Sequence, residues 1–184
     1  MIYWKNIIPG PTPPEVVYAI IECPKGTQKK YEISKTTNLL ILDRVLHSSV
    51  IFPQDYGFIP GTYAPDDDPL DIIVLISSPT VPTTLVEAKP IGVLIMEDEK
   101  GLDEKILAVA INDPFYKHFE DLGDLPQHFL DEIQEFFRTY KNLENQKYAN
   151  VRQWDTKKYA HKLIMECINR FKETFGDIAT IQPE

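Results

Sequence analysis

Asp66-Asp67-Asp68-Pro69-Leu70-Asp71-Ile72-Ile73-Val74-Leu75-Ile76 joins two opposed patterns in eleven residues. The second half is a continuous apolar run of β-branched and aliphatic residues. That composition predicts a strand covered on both faces. The first half sets four carboxylates within six residues. Two like charges about 4 Å apart repel by about 1 kcal/mol in water and about 4 kcal/mol at an effective dielectric of 20. Folding such a cluster against a buried strand calls for a compensating cation or shifted pKa values. Oxygen-only donors, without His or Cys, suit a hard divalent ion, magnesium first. An acidic surface turn is the alternative, since Asp and Pro are ordinary turn formers. An EF-hand is excluded, because Asp71 stands where its loop needs Gly and Ser77 where it needs Glu.

Outward from this stretch, the chain up to about Ile111 reads as strands. Val16–Cys23 ends at the turn Pro24-Lys25-Gly26. Lys29–Ser34 and Leu39–Leu46 flank Thr36-Thr37-Asn38, a hairpin loop, and Thr84–Met96 and Glu104–Ile111 complete the set. Short strands separated by turns predict a small barrel. Four prolines between Pro9 and Pro14 predict an extended arm before it.

The last third changes period. Phe129, Leu130, Ile133, Phe136, Phe137, Tyr140 and Leu143 fall on one helical face. Asp124 is the expected N-cap, with Pro126 in the first turn and Gln127 three residues on. A second helix is expected after Asp155, carrying Tyr159, Leu163, Ile164, Cys167, Ile168, Phe171 and Phe175, and stopped by Gly176. The expected class is α+β, one domain over residues 1–184.

The chain has 184 residues, 43% of them hydrophobic and 26% charged, so a sizeable core is expected and disorder of the whole chain is excluded. Its formal net charge of -9 argues against sequence-independent nucleic-acid binding and against docking on anionic membranes. Bound cations would still allow an anionic substrate. The apolar runs Val16–Ile21 and Ile72–Ile76 are far shorter than the roughly 20 residues of a membrane span. Met1 to Asn6 lacks the basic and apolar regions of a signal peptide. Cys23 and Cys167 form no CxxC pair, so two reduced thiols in a cytoplasmic protein are expected.

A second acidic stretch, Glu97-Asp98-Glu99-Lys100-Gly101-Leu102-Asp103-Glu104-Lys105, joins two apolar strands. It reads either as a solvated hairpin or as the other wall of a multi-metal site. Lys30 and Glu32 share a strand face, as do Asp103 and Lys105. Arg44 sits in an apolar strand, and Tyr140-Lys141 ends the first helix. These groups read either as cross-strand ion pairs and core residues or as grips for an oxyanion.

The ordered set of these segments resembles the soluble family I inorganic pyrophosphatases, in their prokaryotic form. Asp66 to Asp71 is similar to that family's DxDPxD signature. The resemblance runs from Ile21-Glu22-Cys23-Pro24-Lys25-Gly26 through Lys30-Tyr31-Glu32-Ile33, Leu42-Asp43-Arg44-Val45 and Asp55-Tyr56-Gly57-Phe58-Ile59-Pro60. It continues through Pro90-Ile91-Gly92-Val93-Leu94, Asp98-Glu99, Asp103-Glu104-Lys105, Phe136-Phe137 and Tyr140-Lys141, in family order. The resemblance implies an OB-like five-stranded β-barrel with flanking helices, hydrolysing inorganic diphosphate to two orthophosphates with several Mg2+ ions, for which Mn2+ or Zn2+ can stand in. By matching position it implies that Asp66, Asp71 and Asp103 hold the metals that share the attacking water. Asp98 joins Asp103 on a further metal, and Glu32 serves another through water. Asp68 is implied as general base, Glu22 and Glu99 as the acidic shell. Lys30, Arg44, Tyr56, Lys105, Tyr140 and Lys141 are implied as contacts to the phosphoryl groups, with Arg44 and Tyr56 counted as catalytic beside Asp68. A homo-oligomer, most often a hexamer, is implied too.

The chain departs from the family pattern at Asp67, at Ile95 and at Gln153-Trp154, none of them a catalytic position. His47, His118, His128 and His161 match no motif. The chemistry implied needs no Ser, Cys or His nucleophile, because metals screen the diphosphate charge and cations take up charge on the leaving phosphate. Three other readings are a non-catalytic OB-like module for single-stranded nucleic acid, an enzyme for nucleotides or organic diphosphates, and an inactive relative kept for assembly. The first needs a basic groove with stacking aromatics. The second has no Gly-rich phosphate loop here. The third runs against the intact acidic set.

Overall fold

In the computed structural model, residues 4–99, 101–145 and 148–178 are described. Lys100 and Met1 to Tyr3, quoted above, lie outside them. The strands are β1 (Val17–Cys23), β2 (Lys29–Ile33), β3 (Leu40–Val45), β4 (Asp55–Phe58), β5 (Asp71–Leu75), β6 (Leu85–Asp98), β7 (Gly101–Leu102) and β8 (Lys105–Ala110). Helix α1 (Gln127–Thr139), strand β9 (Ala149–Thr156) and helix α2 (Lys157–Phe175) follow.

Five strands pair in a closed ring. β1 runs antiparallel to β4, β4 to β5, β8 to β6 and β6 back to β1, while β5 and β8 are parallel. Closure removes the exposed edges that an open sheet would carry, and the ring is the OB-like barrel expected. β6 belongs to the ring along its first half and then leaves β1 to pair with β9. Its register with β8 slips between Pro90 and Gly92, where Pro90 lacks the N–H that a regular ladder requires. β2 and β3 form a separate hairpin.

Both faces of the ring are covered, as the apolar run of β5 predicts. Ile72 and Val74 pack with Leu163, Ile164 and Cys167 of α2. Ile73 and Leu75 share a second cluster with Leu130, Ile133, Phe136 and Phe137 of α1. Each such side chain contributes roughly 1.5–3 kcal/mol by leaving water. Both cysteines are buried and unpaired by disulfide. Among the described residues no helix is long and apolar enough to cross a membrane.

The helix ends correct the sequence reading at Asp124 and at Leu143. Asp124 does not cap α1. It closes a short 3-10 turn, Leu122–Asp124, accepting the Glu120 and Asp121 N–H groups at 2.7 and 3.1 Å. Pro126 precedes α1 and makes no side-chain cap bond. Leu143 is 65% exposed, because α1 ends at Thr139 and the chain leaves the helical path before reaching it. For α2, Thr156 accepts the Tyr159 N–H at 3.3 Å, and Gly176 ends the helix at φ 83°.

β4 was not visible as a strand in the hydrophobic pattern, and its composition shows why. Asp55 is fully buried, its carboxylate accepting N–H groups from Lys25 (2.7 Å) and Thr80 (3.1 Å). Gly57 lies against β1 so closely that a Cβ there would sit 1.9 Å from the Ile20 carbonyl oxygen. The neighbour is backbone, which cannot rotate away. Gly57→Ala is therefore expected to lower stability by about 2–3 kcal/mol, the scale of overpacking in a close-packed interior. Chemical denaturation measures this, and a loss below about 0.5 kcal/mol, the scale of an ordinary surface substitution, would contradict the close approach.

Candidate active site

At one end of the ring, side chains from the hairpin, β1, β4, β5, the β6–β8 connection and the end of α1 enclose a cleft of about 700 Å³. All fourteen candidate residues line it, namely Glu22, Lys30, Glu32, Arg44, Tyr56, Asp66, Asp68, Asp71, Asp98, Glu99, Asp103, Lys105, Tyr140 and Lys141. None of the four histidines does among the described residues.

The parallel pairing of β5 with β8 places Asp71 opposite Lys105 in register. Lys105 is only 2% exposed, and its ammonium donates to Asp71 Oδ2 at 2.6 Å and Asp103 Oδ1 at 2.8 Å. Burial disfavours its charge, but Asp103 and Asp71 outweigh that and hold the ammonium above its ordinary range. The Tyr56 hydroxyl also donates to Asp71 Oδ2. Burial first, and the Asp71 charge next, push this phenol well above its ordinary range, so it stays a donor. Behind it, Tyr56 packs on Phe52 (5.6 Å between centroids) and Phe137 (5.9 Å), which fixes its ring.

The turn after α1 delivers a second set. Lys141 Nζ donates to Asp98 at 2.9 Å and to Glu99 at 3.1 Å. Burial lowers its pKa, yet Tyr140, Asp98 and Glu99 raise it by more. Tyr140 stacks on Phe136 at 5.3 Å, so it belongs at once to the core and to the cleft wall. The second acidic stretch divides its charges. Asp98, Glu99 and Asp103 face the cleft, while Glu97 pairs with Arg152 and Glu104 accepts from Tyr159 OH at 2.8 Å.

The hairpin supplies the opposite wall. Lys30 pairs with Glu32 and lies 3.5 Å from Asp43, and Arg44 pairs with Asp43 and, at 2.7 Å, with Glu144. Glu22 accepts the Ile33 N–H at 2.6 Å and is pushed up to about 8, mainly by burial. Lys35, Asp43 and Glu144 were not singled out from the sequence. Each acts through a partner distant in the chain or on another strand, which no local motif records.

Nine carboxylates and five Lys or Arg side chains line the cleft. The surplus of negative charge is felt locally. Burial, then Asp68 and Asp71, raise the Asp66 carboxyl above its usual range, and burial raises Asp71 by more than Lys105 lowers it. Among the described residues no three metal-type donors converge on one point. Lysine ammonium groups stand between the carboxylates instead. As a donor set, however, these side chains are oxygen-only and in excess of the resident cations, which suits a hard divalent ion.

The same residues connect the chain to known proteins. A sequence model described as inorganic pyrophosphatase matches residues 19–172. The inorganic pyrophosphatase of Haloferax volcanii is 45% identical over 173 residues, covering 94% of this chain and 98% of that protein. Soluble inorganic pyrophosphatase 2 of Chlamydomonas reinhardtii is 41% identical over 172 residues, covering 94% and 89%. The crystal structure of inorganic pyrophosphatase from Thermus thermophilus superposes with a TM-score of 0.90 at 43% identity, covering 93% of this chain and 99% of that one. With this agreement along nearly the whole length and in three dimensions, the chain belongs to the inorganic pyrophosphatase family.

Proposed function

We propose that the cleft hydrolyses inorganic diphosphate to two orthophosphates with the help of Mg2+. The observation that carries this reading is the composition of the wall, in which Lys30, Arg44, Lys105, Lys141 and two tyrosines, suited to phosphoryl oxygens, are interleaved with nine carboxylates. Such a wall would repel a naked polyanion, as it would a nucleic-acid strand, and becomes hospitable only when further cations enter. Asp66, Asp71, Asp98 and Asp103 would hold them, with Glu32 at the margin. When bound, Mg2+ would screen the substrate charge and lower the pKa of water.

The side chains then divide the work. Lys30 and Arg44 from one wall, and Lys141 and Tyr140 from the other, would grip the two phosphoryl groups and orient them for in-line attack. Tyr56 and Lys105 would donate to oxygens that gain charge as the bridging P–O bond breaks. Asp68 would accept a proton from the attacking water while the water oxygen bonds to phosphorus. That proton then passes to the departing orthophosphate, which closes the balance of the reaction.

Phosphate release from diphosphate at millimolar Mg2+ tests the reading, with an EDTA-treated sample alongside. Release abolished by EDTA and restored by Mg2+ is expected, and a folded sample without release under Mg2+, Mn2+ or Zn2+ would overturn it. Asp68→Asn is expected to lower kcat by about a hundred- to ten-thousand-fold, the scale of a general base. Turnover in that variant within about threefold of wild type would remove Asp68 from this role.

A further inference from the structure

The β2–β3 hairpin carries Lys30, Glu32, Asp43 and Arg44 into the cleft, yet it is a sheet of its own outside the ring. Two strands alone are marginally stable in water, so the ties of this hairpin decide where its charges stand. Its β2 strand is stitched to β1 by side chains. Cys23 Sγ accepts the Tyr31 N–H at 3.2 Å, and Glu22 accepts that of Ile33. Arg44 reaches Glu144 beyond α1.

The tip, residues 34–39, is different. Its backbone bonds close on themselves, Ser34 N–H to Leu39 O at 2.9 Å and Asn38 N–H to Ser34 O at 2.8 Å. Among the described residues, the polar side chain that leaves this turn for another segment is that of Lys35. Its ammonium pairs with the Asp68 carboxylate and donates to the Asp67 carbonyl at 2.8 Å.

The receiving turn is built to hold still. Asp67 adopts φ 68°, a left-handed conformation uncommon outside glycine. Its side chain is fixed by Tyr63 OH at 2.7 Å, and Ala64 N–H donates to Asp68 O at 2.7 Å. Asp67, a departure from the family pattern, is thereby explained as the corner of this turn.

We propose that Lys35 is a positioning residue for this site, strapping the hairpin tip to the acidic turn across the mouth of the cleft. The strap sets Lys30 and Arg44 at a fixed distance from Asp66, Asp68 and Asp71. The ion pair alone is half-exposed, 47% at Lys35 and 35% at Asp68, and such pairs contribute little by themselves. Its leverage comes from the second bond to Asp67 and from its place on the turn that closes the hairpin, two residues beyond the Ile33 stitch to β1. That a diphosphate would span both walls rests on the functional reading above. The strap itself does not.

Hydrogen exchange in the metal-free protein tests the strap without turnover. In Lys35→Ala and Lys35→Met, the Ser34, Asn38 and Ala64 amides are expected to exchange about fivefold or more faster, and in Lys35→Arg within about twofold of wild type, as local opening predicts. Unchanged exchange in Lys35→Ala, or a change at the hairpin without one at Ala64, overturns the proposal. In the kinetic assay, Lys35→Ala is expected to raise KM for diphosphate about tenfold with kcat within about threefold, since alignment for binding is lost while the reacting groups remain. Lys35→Arg restores KM. A fall in kcat at constant KM contradicts the positioning role. A wild-type protein without turnover would defeat the diphosphatase reading and leave the exchange result standing.

Discussion

The Lys105 ammonium, buried between Asp71 and Asp103, is the interaction on which fold and site both depend. Lys105 opens β8 and Asp71 opens β5, so the parallel pairing of two ring strands brings the charges together. The same ammonium bonds Asp103, just before β8, and lies 5.3–5.4 Å above the rings of Tyr56 and Phe137. Removing it would leave two partly buried carboxylates without their shared cation, which costs more than an exposed pair is worth. One buried cation thus ties ring closure, the aromatic packing of α1 and the acidic wall into one arrangement.

That arrangement explains why so acidic a cleft folds and why it stays short of cations. Lys35, Lys105 and Lys141 each lie against two acidic residues or their backbone. They neutralise part of the wall and hold it in shape, while burial first, and neighbouring carboxylates after it, keep the Asp66 and Asp71 carboxyls raised. In the proposed function, a divalent ion entering here would compete with ammonium groups for some oxygens and relieve repulsion among the rest.

Much of this was legible in the sequence. The run Ile72–Ile76 announced a strand buried on both faces, and the carboxylates before it announced a site at its start. The period of residues 159–171 placed α2, because burying one face of a helix writes a 3.6-residue repeat. What escaped was set by contacts rather than periodicity. β4 hides behind a buried Asp55 and a glycine that serves the neighbouring backbone. β9 is largely polar, Asn150-Val151-Arg152-Gln153-Trp154-Asp155, and is held by pairing to β6. Lys35 meets Asp67 across 32 residues and Arg44 meets Glu144 across 100, separations at which a local pattern carries no signal.

The proposed function requires that this cleft accept a diphosphate only once additional cations have entered it. Calorimetric titration with methylene diphosphonate, which has no cleavable P–O–P bridge, measures this directly in millimolar Mg2+ and in EDTA. The charge surplus predicts binding about a hundredfold weaker in EDTA, where the carboxylates face the anion without added cations. Equal affinity in both conditions would contradict it and would mean that the resident lysines and Arg44 suffice to hold the substrate.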